Sequence, residues 1–141
     1  MAEREIVKKL IEEAVAAREK SYSPYSHFSV GAALLTENGK IYTGCNIENA
    51  AYGPSNCAER TAFFKAVSEG ERSFAAIAVV GGSSDKEPES YTTPCGICRQ
   101  VMAEFCIPDA FEIIIAKSIN DYYVKTLHEL LPDSFGKTNL N

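Results

Sequence analysis

Two unbroken apolar runs, with a helix-length segment between them, constrain this chain more than any other feature. Phe74 to Val80 and Phe111 to Ala116 each read as a strand buried on both faces, since a strand with one wet face would alternate. Between them Pro94 and Cys95 open a helix that ends before Pro108. A strand–helix–strand unit of this kind predicts parallel pairing by a right-handed crossover, and therefore a sheet covered by helices.

The rest of the chain can be placed around that unit. Ile6, Val7, Leu10, Ile11, Ala14 and Ala17 recur at helical spacing across residues 3–20, and Tyr22-Ser-Pro24 breaks the pattern. Phe28 to Thr36 and Lys40 to Asn46 read as two strands joined at Asn38-Gly39, a strong hairpin signal. Residues 47–56 read as an ordered loop. A helix begins near Cys57 with Ala62, Phe63, Ala66 and Val67 facing inward and Gly70 as its C-cap. Residues 81–93 read as loop, Tyr122 to Leu127 as the last strand, and the tail from Pro132 as irregular. Residues 117–121 are too few for a crossover, so the last two strands are predicted to be antiparallel. The fold class is therefore α/β, a mixed sheet with helices over it.

Composition narrows the function. The 141 residues, 45% of them hydrophobic, fit a single compact domain over 1–141. A net charge of −5 argues against a large phosphate-binding surface and thus against nucleic acid, without excluding a small uncharged substrate. The N-terminal residues lack an apolar signal region, and no stretch approaches the ~20 apolar residues of a membrane span. The expected location is cytoplasmic, with no membrane partner. There the five cysteines are expected as thiols or metal ligands rather than disulfides.

Cys57-Ala58-Glu59-Arg60 and Pro94-Cys95-Gly96-Ile97-Cys98 carry the chemistry. Cys95 and Cys98 share one face of a helical turn, and helix N-termini favour the thiolate that binds metal. With Cys57 they form a three-sulfur set that suits zinc and leaves a fourth tetrahedral position for water. Glu59, two residues after a ligand, is placed to move protons. Positions i and i+2 lie roughly 200° apart on a regular helix, so Cys57 and Glu59 share a pocket only if Cys57 stands at the very start of its helix. A structural zinc site would need a fourth ligand, for which Cys45 and Cys106 are the available sulfurs, though both also read as ordinary buried cysteines. Arg60 either hydrogen-bonds the thiolates, offsetting their charge, or forms a surface ion pair. His27 and His128 read as structural or exposed.

These two segments, with Gly44-Cys-Asn46-Ile-Glu48-Asn-Ala-Ala-Tyr52, closely resemble the small homotetrameric cytidine deaminases over about Tyr25 to Phe135. The three-Cys zinc deaminases share the same pattern. The resemblance implies a three-layer α/β/α cytidine-deaminase-like fold with a five-stranded sheet, and zinc-dependent hydrolysis of cytidine and deoxycytidine to uridine and deoxyuridine. It implies one Zn²⁺ per subunit on Cys57, Cys95 and Cys98, with Glu59 as catalytic proton shuttle. By the same resemblance Asn46 and Glu48 bond the ribose hydroxyls, Phe28 stacks on the pyrimidine, and the Ala58 N–H recognises the base edge. Phe135 would reach a neighbouring subunit's pocket in a homotetramer with shared sites. Glu48 would also repel a phosphate, favouring nucleoside over nucleotide. The alternatives are a nucleic-acid-editing deaminase, which should carry a basic face and a parallel last strand; a blasticidin-type deaminase, which the Asn46-x-Glu48 pair fits less well; and a non-catalytic zinc module, which should close the metal shell.

Overall fold

The computed structural model describes residues 3–140. Its element order is α1 (Arg4–Arg18), β1 (Phe28–Thr36), β2 (Ile41–Cys45), α2 (Ala58–Ser68), β3 (Phe74–Ser83), α3 (Gly96–Phe105), β4 (Glu112–Ser118), β5 (Asp121–Thr126), α4 (Leu127–Leu130) and a 3₁₀ turn (Lys137–Asn139). The strands form one sheet in the order β2-β1-β3-β4-β5. β3 and β4 pair in parallel, as the crossover requires, and β4 and β5 are antiparallel, as their short connection predicts.

Alternation along the central strands divides the interior into two layers. Val30, Ala32, Leu34, Ile77, Val79, Ile113 and Ile115 face α2, α3 and α4 around Phe63, Met102 and Phe111. Ala33, Leu35, Ala76, Ala78, Val80, Ile114 and Ala116 face Leu10, Ile11 and Ala14 of α1. Buried on both faces, β3 and β4 have no wet side to carry polar residues, which is why their sequences read as unbroken runs. The result is a three-layer α/β/α fold.

Two glycines let the helices sit close. A Cβ on Gly31 would lie 1.9 Å from the Ala14 carbonyl oxygen of α1. On the next strand and the other face, a Cβ on Gly44 would lie 2.4 Å from the Ala58 carbonyl oxygen and 2.6 Å from the Ala62 nitrogen. Gly44 thereby sets how near the first turn of α2, which carries Glu59, lies to the sheet.

The structure corrects three boundaries. β3 continues past Val80 to Ser83, because Gly81, Gly82 and Ser83 pair with Val30, Ser29 and Phe28 at the start of β1. The last strand ends at Thr126, and Leu127 turns into α4 instead. The Thr126 side chain and Glu129 form a reciprocal capping box there, which stops the strand. Beyond Pro132 the chain is not wholly irregular, since Lys137–Asn139 makes a 3₁₀ turn.

Candidate active site

The conflict between Cys57 and Glu59 disappears at the helix start. Cys57 is the N-cap of α2, extended at φ −79° and ψ 156°, so its side chain is not on the helical spiral that Ala58 begins. Cys95 is the N-cap of α3 in the same conformation, with φ −70° and ψ 170°, and Cys98 lies in that helix's first turn. Two helix N-termini therefore converge on one point, each contributing partial positive charge that favours thiolate.

The sulfurs of Cys57, Cys95 and Cys98 all lie within 4.8 Å of one another. The Cys57–Cys95 separation is 3.7 Å and the Cys95–Cys98 separation 3.5 Å. Tetrahedral bonds of about 2.3 Å to zinc require sulfurs about 3.8 Å apart, so the triangle fits that ion with little adjustment. Arg60 donates from Nη2 to Cys57 Sγ at 3.3 Å. Its buried Nε has no hydrogen-bond partner among the described residues. Hydrogen bonds from the Cys98 thiol, Arg60 and Cys95 pull the Cys57 thiol down to about 5, against the effect of burial. Cys98, which supplies the proton in that bond and is itself buried, is pushed the opposite way. Of the three sulfurs Cys57 is thus the one most favoured as thiolate, and a bound cation would favour that form on all of them.

Glu59 is 4% exposed and lines a cavity of about 230 Å³ with Val30, Asn46, Glu48, Ser55, Asn56, Cys57, Ala58, Thr92, Thr93 and Cys95. Burial pushes its carboxyl up to about 7, with the Cys57 thiolate adding to the shift and its own backbone N–H and Arg60 opposing it. A carboxyl poised near neutrality can both accept and donate protons, as a shuttle must.

That shift has a consequence for stability. The unfolded carboxyl ionises near 4.5 and the folded one near 7, so folding is favoured below 4.5 and loses that contribution as pH rises toward 7. In zinc-stripped, reduced protein, Glu59→Gln is expected to unfold at higher denaturant than wild type above pH 7. The gain is up to about 3 kcal/mol, from the shift between 4.5 and about 7, and it vanishes toward pH 4.5. A pH-independent difference in urea midpoints would contradict a carboxyl held up by burial.

The other sequence-predicted residues are placed unevenly. Asn46, Glu48 and Ala58 line the same cavity as Glu59, and the Ala58 N–H belongs to the first-turn donors that have no intrahelical partner. Glu48 Oε1 accepts from the backbone N–H groups of Tyr25 at 3.0 Å and Ser26 at 3.1 Å, and Oε2 accepts from the Ser26 hydroxyl. The Ser26 bonds hold its carboxyl below the usual range, so it is ionised. Phe28 instead lines an adjoining cavity of about 150 Å³ with Gly82 and Ser83. Phe135 is 61% exposed and lies outside the Glu59 cavity, its carbonyl accepting from Gln100 Nε2 at 2.8 Å. Cys45 and Cys106 are not in the thiolate cluster, and no histidine joins it among the described residues. Cys106 is buried in the core, which pushes its thiol up and keeps it neutral. Sequence reading missed Val30, Ser55, Asn56, Thr92 and Thr93 as cavity walls; only the position of Thr92 and Thr93 just before Pro94 offered a cue.

Residues 4–113 match the family described as the cytidine and deoxycytidylate deaminase zinc-binding region. The chain belongs to this family. A cytidine deaminase of Sporosarcina psychrophila is 53% identical over 135 residues, covering 96% of this chain and 95% of that protein. The crystal structure of cytidine deaminase from Burkholderia pseudomallei aligns with a TM-score of 0.81 at 53% identity, over 90% of this chain and 97% of that one. The structure of the Mycobacterium tuberculosis cytidine deaminase aligns with a TM-score of 0.76 at 38% identity, over 91% and 95% of the two chains. The cytidine deaminase family thus has zinc as the cofactor of its matched region, and this member carries a three-sulfur set of the right size for it.

Proposed function

We propose that this chain is a hydrolase that converts cytidine and deoxycytidine to uridine and deoxyuridine, releasing ammonia. The observation that carries the reading is a buried carboxyl, Glu59, in the same cavity as Cys57 and Cys95 of a three-thiolate cluster. Three protein ligands suit a catalytic rather than a structural zinc, and the antiparallel β4–β5 pair and net charge of −5 favour a nucleoside over a polynucleotide substrate.

Zinc, held by Cys57, Cys95 and Cys98, would supply Lewis-acid activation of the attacking water. Glu59 takes a proton from that water as its oxygen bonds to C4 of the base, and passes the proton to N3. Glu59 then takes the remaining proton from the new C4 hydroxyl and puts it on N4, so the C4–N4 bond breaks, the C4 carbonyl of the product forms, and ammonia leaves. Arg60 offsets the charge of the sulfurs, and the first-turn N–H of Ala58 meets the base edge. Phe28 stacks on the pyrimidine: it is two residues from Val30 of the cavity wall, hence on the same face of β1. Phe135, exposed on an anchored backbone, reaches the pocket of a neighbouring subunit in a homotetramer. The enzyme works as a single domain over 1–141 in the cytoplasm.

Asn46 and Glu48 hold the sugar, and their free valences count what they read. Asn46 has one N–H not used by the protein, and Glu48, accepting from three donors, has about one of its four lone-pair sites left. One donor and one acceptor satisfy one hydroxyl. Both nucleosides are read as substrates, so that hydroxyl is one they share: cytidine and 2′-deoxycytidine are expected to differ by less than about tenfold in kcat/KM, while free cytosine, leaving both groups unpaired, falls by at least ~10³. Loss of ultraviolet absorbance on deamination measures all three. No turnover of either nucleoside by zinc-loaded protein would overturn the reading.

A further inference from the structure

The side chain of Asn46 is held by more of the protein than a sugar contact needs. Its Oδ1 accepts from the Val30 N–H at 2.9 Å and from the Ser21 hydroxyl at 2.5 Å, and its Nδ2 donates to the Phe28 carbonyl at 2.8 Å. Val30 N–H can only donate and the Phe28 carbonyl can only accept. A flipped amide would set donor against donor and acceptor against acceptor, so the orientation is unique. Both lone pairs of Oδ1 are used, which leaves the second Nδ2 hydrogen as the one polar valence that Asn46 can offer a ligand.

Ser21 continues into a chain of hydroxyls. Ser21 and Ser23 are 3.2 Å apart, Ser23 lies 3.3 Å from both Ser29 and Ser84, and Ser29 and Ser84 are 2.7 Å apart. A hydroxyl has one hydrogen. Ser21 is the donor in both its contacts, to Asn46 Oδ1 at 2.5 Å and to Ser23 Oγ at 3.2 Å, and the shorter one to Asn46 takes the hydrogen. The far end is fixed from α1: Arg18 donates from Nε to the Ser29 carbonyl at 2.9 Å and from Nη2 to the carbonyls of Ser83 at 3.0 Å and Lys86 at 3.3 Å. Backbone pairing holds the near end, with Tyr22 N–H on the Asn46 carbonyl at 3.0 Å and Glu48 N–H on the Tyr22 carbonyl at 2.8 Å.

We propose that Ser21 is a positioning residue that fixes Asn46 as a one-hydrogen donor to the sugar and so sets how strictly the enzyme demands that hydroxyl. The inference rests on the reading of Asn46 as a sugar contact. Without the Ser21 hydroxyl, Oδ1 keeps one partner and the amide can tilt, weakening its remaining N–H toward a ligand while Glu59 and the thiolates are untouched.

The test compares cytidine with its 2′-, 3′- and 5′-deoxy analogues for wild type, Ser21→Ala and Ser21→Thr, with zinc content measured on each. Wild type should strongly penalise the 3′- or the 5′-deoxy analogue, and the 2′-deoxy analogue little. In Ser21→Ala that penalty is expected to fall about five- to tenfold, the loss of one hydrogen bond, through KM for cytidine with kcat within about twofold. Ser21→Thr, which keeps the hydroxyl, should retain the wild-type penalty. A general structural lesion would instead lower kcat on every substrate alike. An unchanged penalty in Ser21→Ala, or a loss in Ser21→Thr equal to that in Ser21→Ala, overturns the role of Ser21. A wild type that penalises no analogue overturns the sugar reading of Asn46 and this inference with it. Should Ser21→Ala not fold, Ser21→Gly takes its place, with the same fall in the penalty expected and no fall overturning the proposal.

Discussion

Glu59→Gln is expected to lose about 10²- to 10⁴-fold in kcat while keeping its zinc and its fold, the range of a positioned acid–base group. Glutamine matches the shape of the carboxyl but cannot take a proton from water or return one to N3 or N4. The carboxyl is 4% exposed and poised near 7, so bulk water is poorly placed to substitute for it. KM should change far less than kcat, because the proton transfers belong to the transition state. Glu59→Asp separates distance from chemistry: it retains an acid but withdraws it by one methylene, and should fall between wild type and Glu59→Gln. Absorbance assays alongside zinc analysis decide the matter. A Glu59→Gln protein within tenfold of wild type would remove Glu59 from the reaction.

Second in size is the loss of metal when a cluster sulfur is removed. Cys95→Ala should leave less than about a tenth of the wild-type zinc after dialysis, and activity should fall with it, since two thiolates do not form a stable site. Cys57→Ala and Cys98→Ala are expected to behave alike, with a further cost to Cys98→Ala because that residue is buried in the core around Phe63. Cys45→Ala and Cys106→Ala supply the contrast. Both stand outside the cluster and should retain full zinc, even though Cys106→Ala leaves a small core cavity. Full zinc in Cys95→Ala, or its loss in Cys45→Ala, would assign the ligands differently.

Much of the scaffold was legible because its strands obey simple burial patterns. β3 and β4 announce themselves as apolar runs, and the brevity of residues 117–121 alone dictates the antiparallel turn between β4 and β5. The extension of β3 to Ser83 was hidden, because Gly81 and Gly82 have no side chains to carry a pattern; their pairing is imposed by β1. α4 was overlooked although Thr126 and Glu129 spell its capping box, since four residues are too short for a periodicity to register. The thiolate cluster was readable from spacing, but its compatibility with Glu59 was not, because it depends on Cys57 being extended. Least visible was the setting of Asn46. Its partners come from Ser21, Phe28 and Val30, and contacts across such separations leave no trace in local sequence.

The placement of the cluster at two separate N-caps also has a bearing on the order in which the molecule assembles. Cys57 precedes α2 and Cys95 precedes α3, with the whole of β3 between them in the chain. No local hairpin can bring the three sulfurs together. They meet only after β3 has found β1 and β4 and both helices have settled on the same side, and the parallel β3–β4 partnership is the kind of long-range pairing that forms slowly. Tight metal capture is therefore a late event. The rate at which a refolding chain withdraws zinc from a coloured chelator should track the arrival of the finished architecture rather than the first appearance of helix.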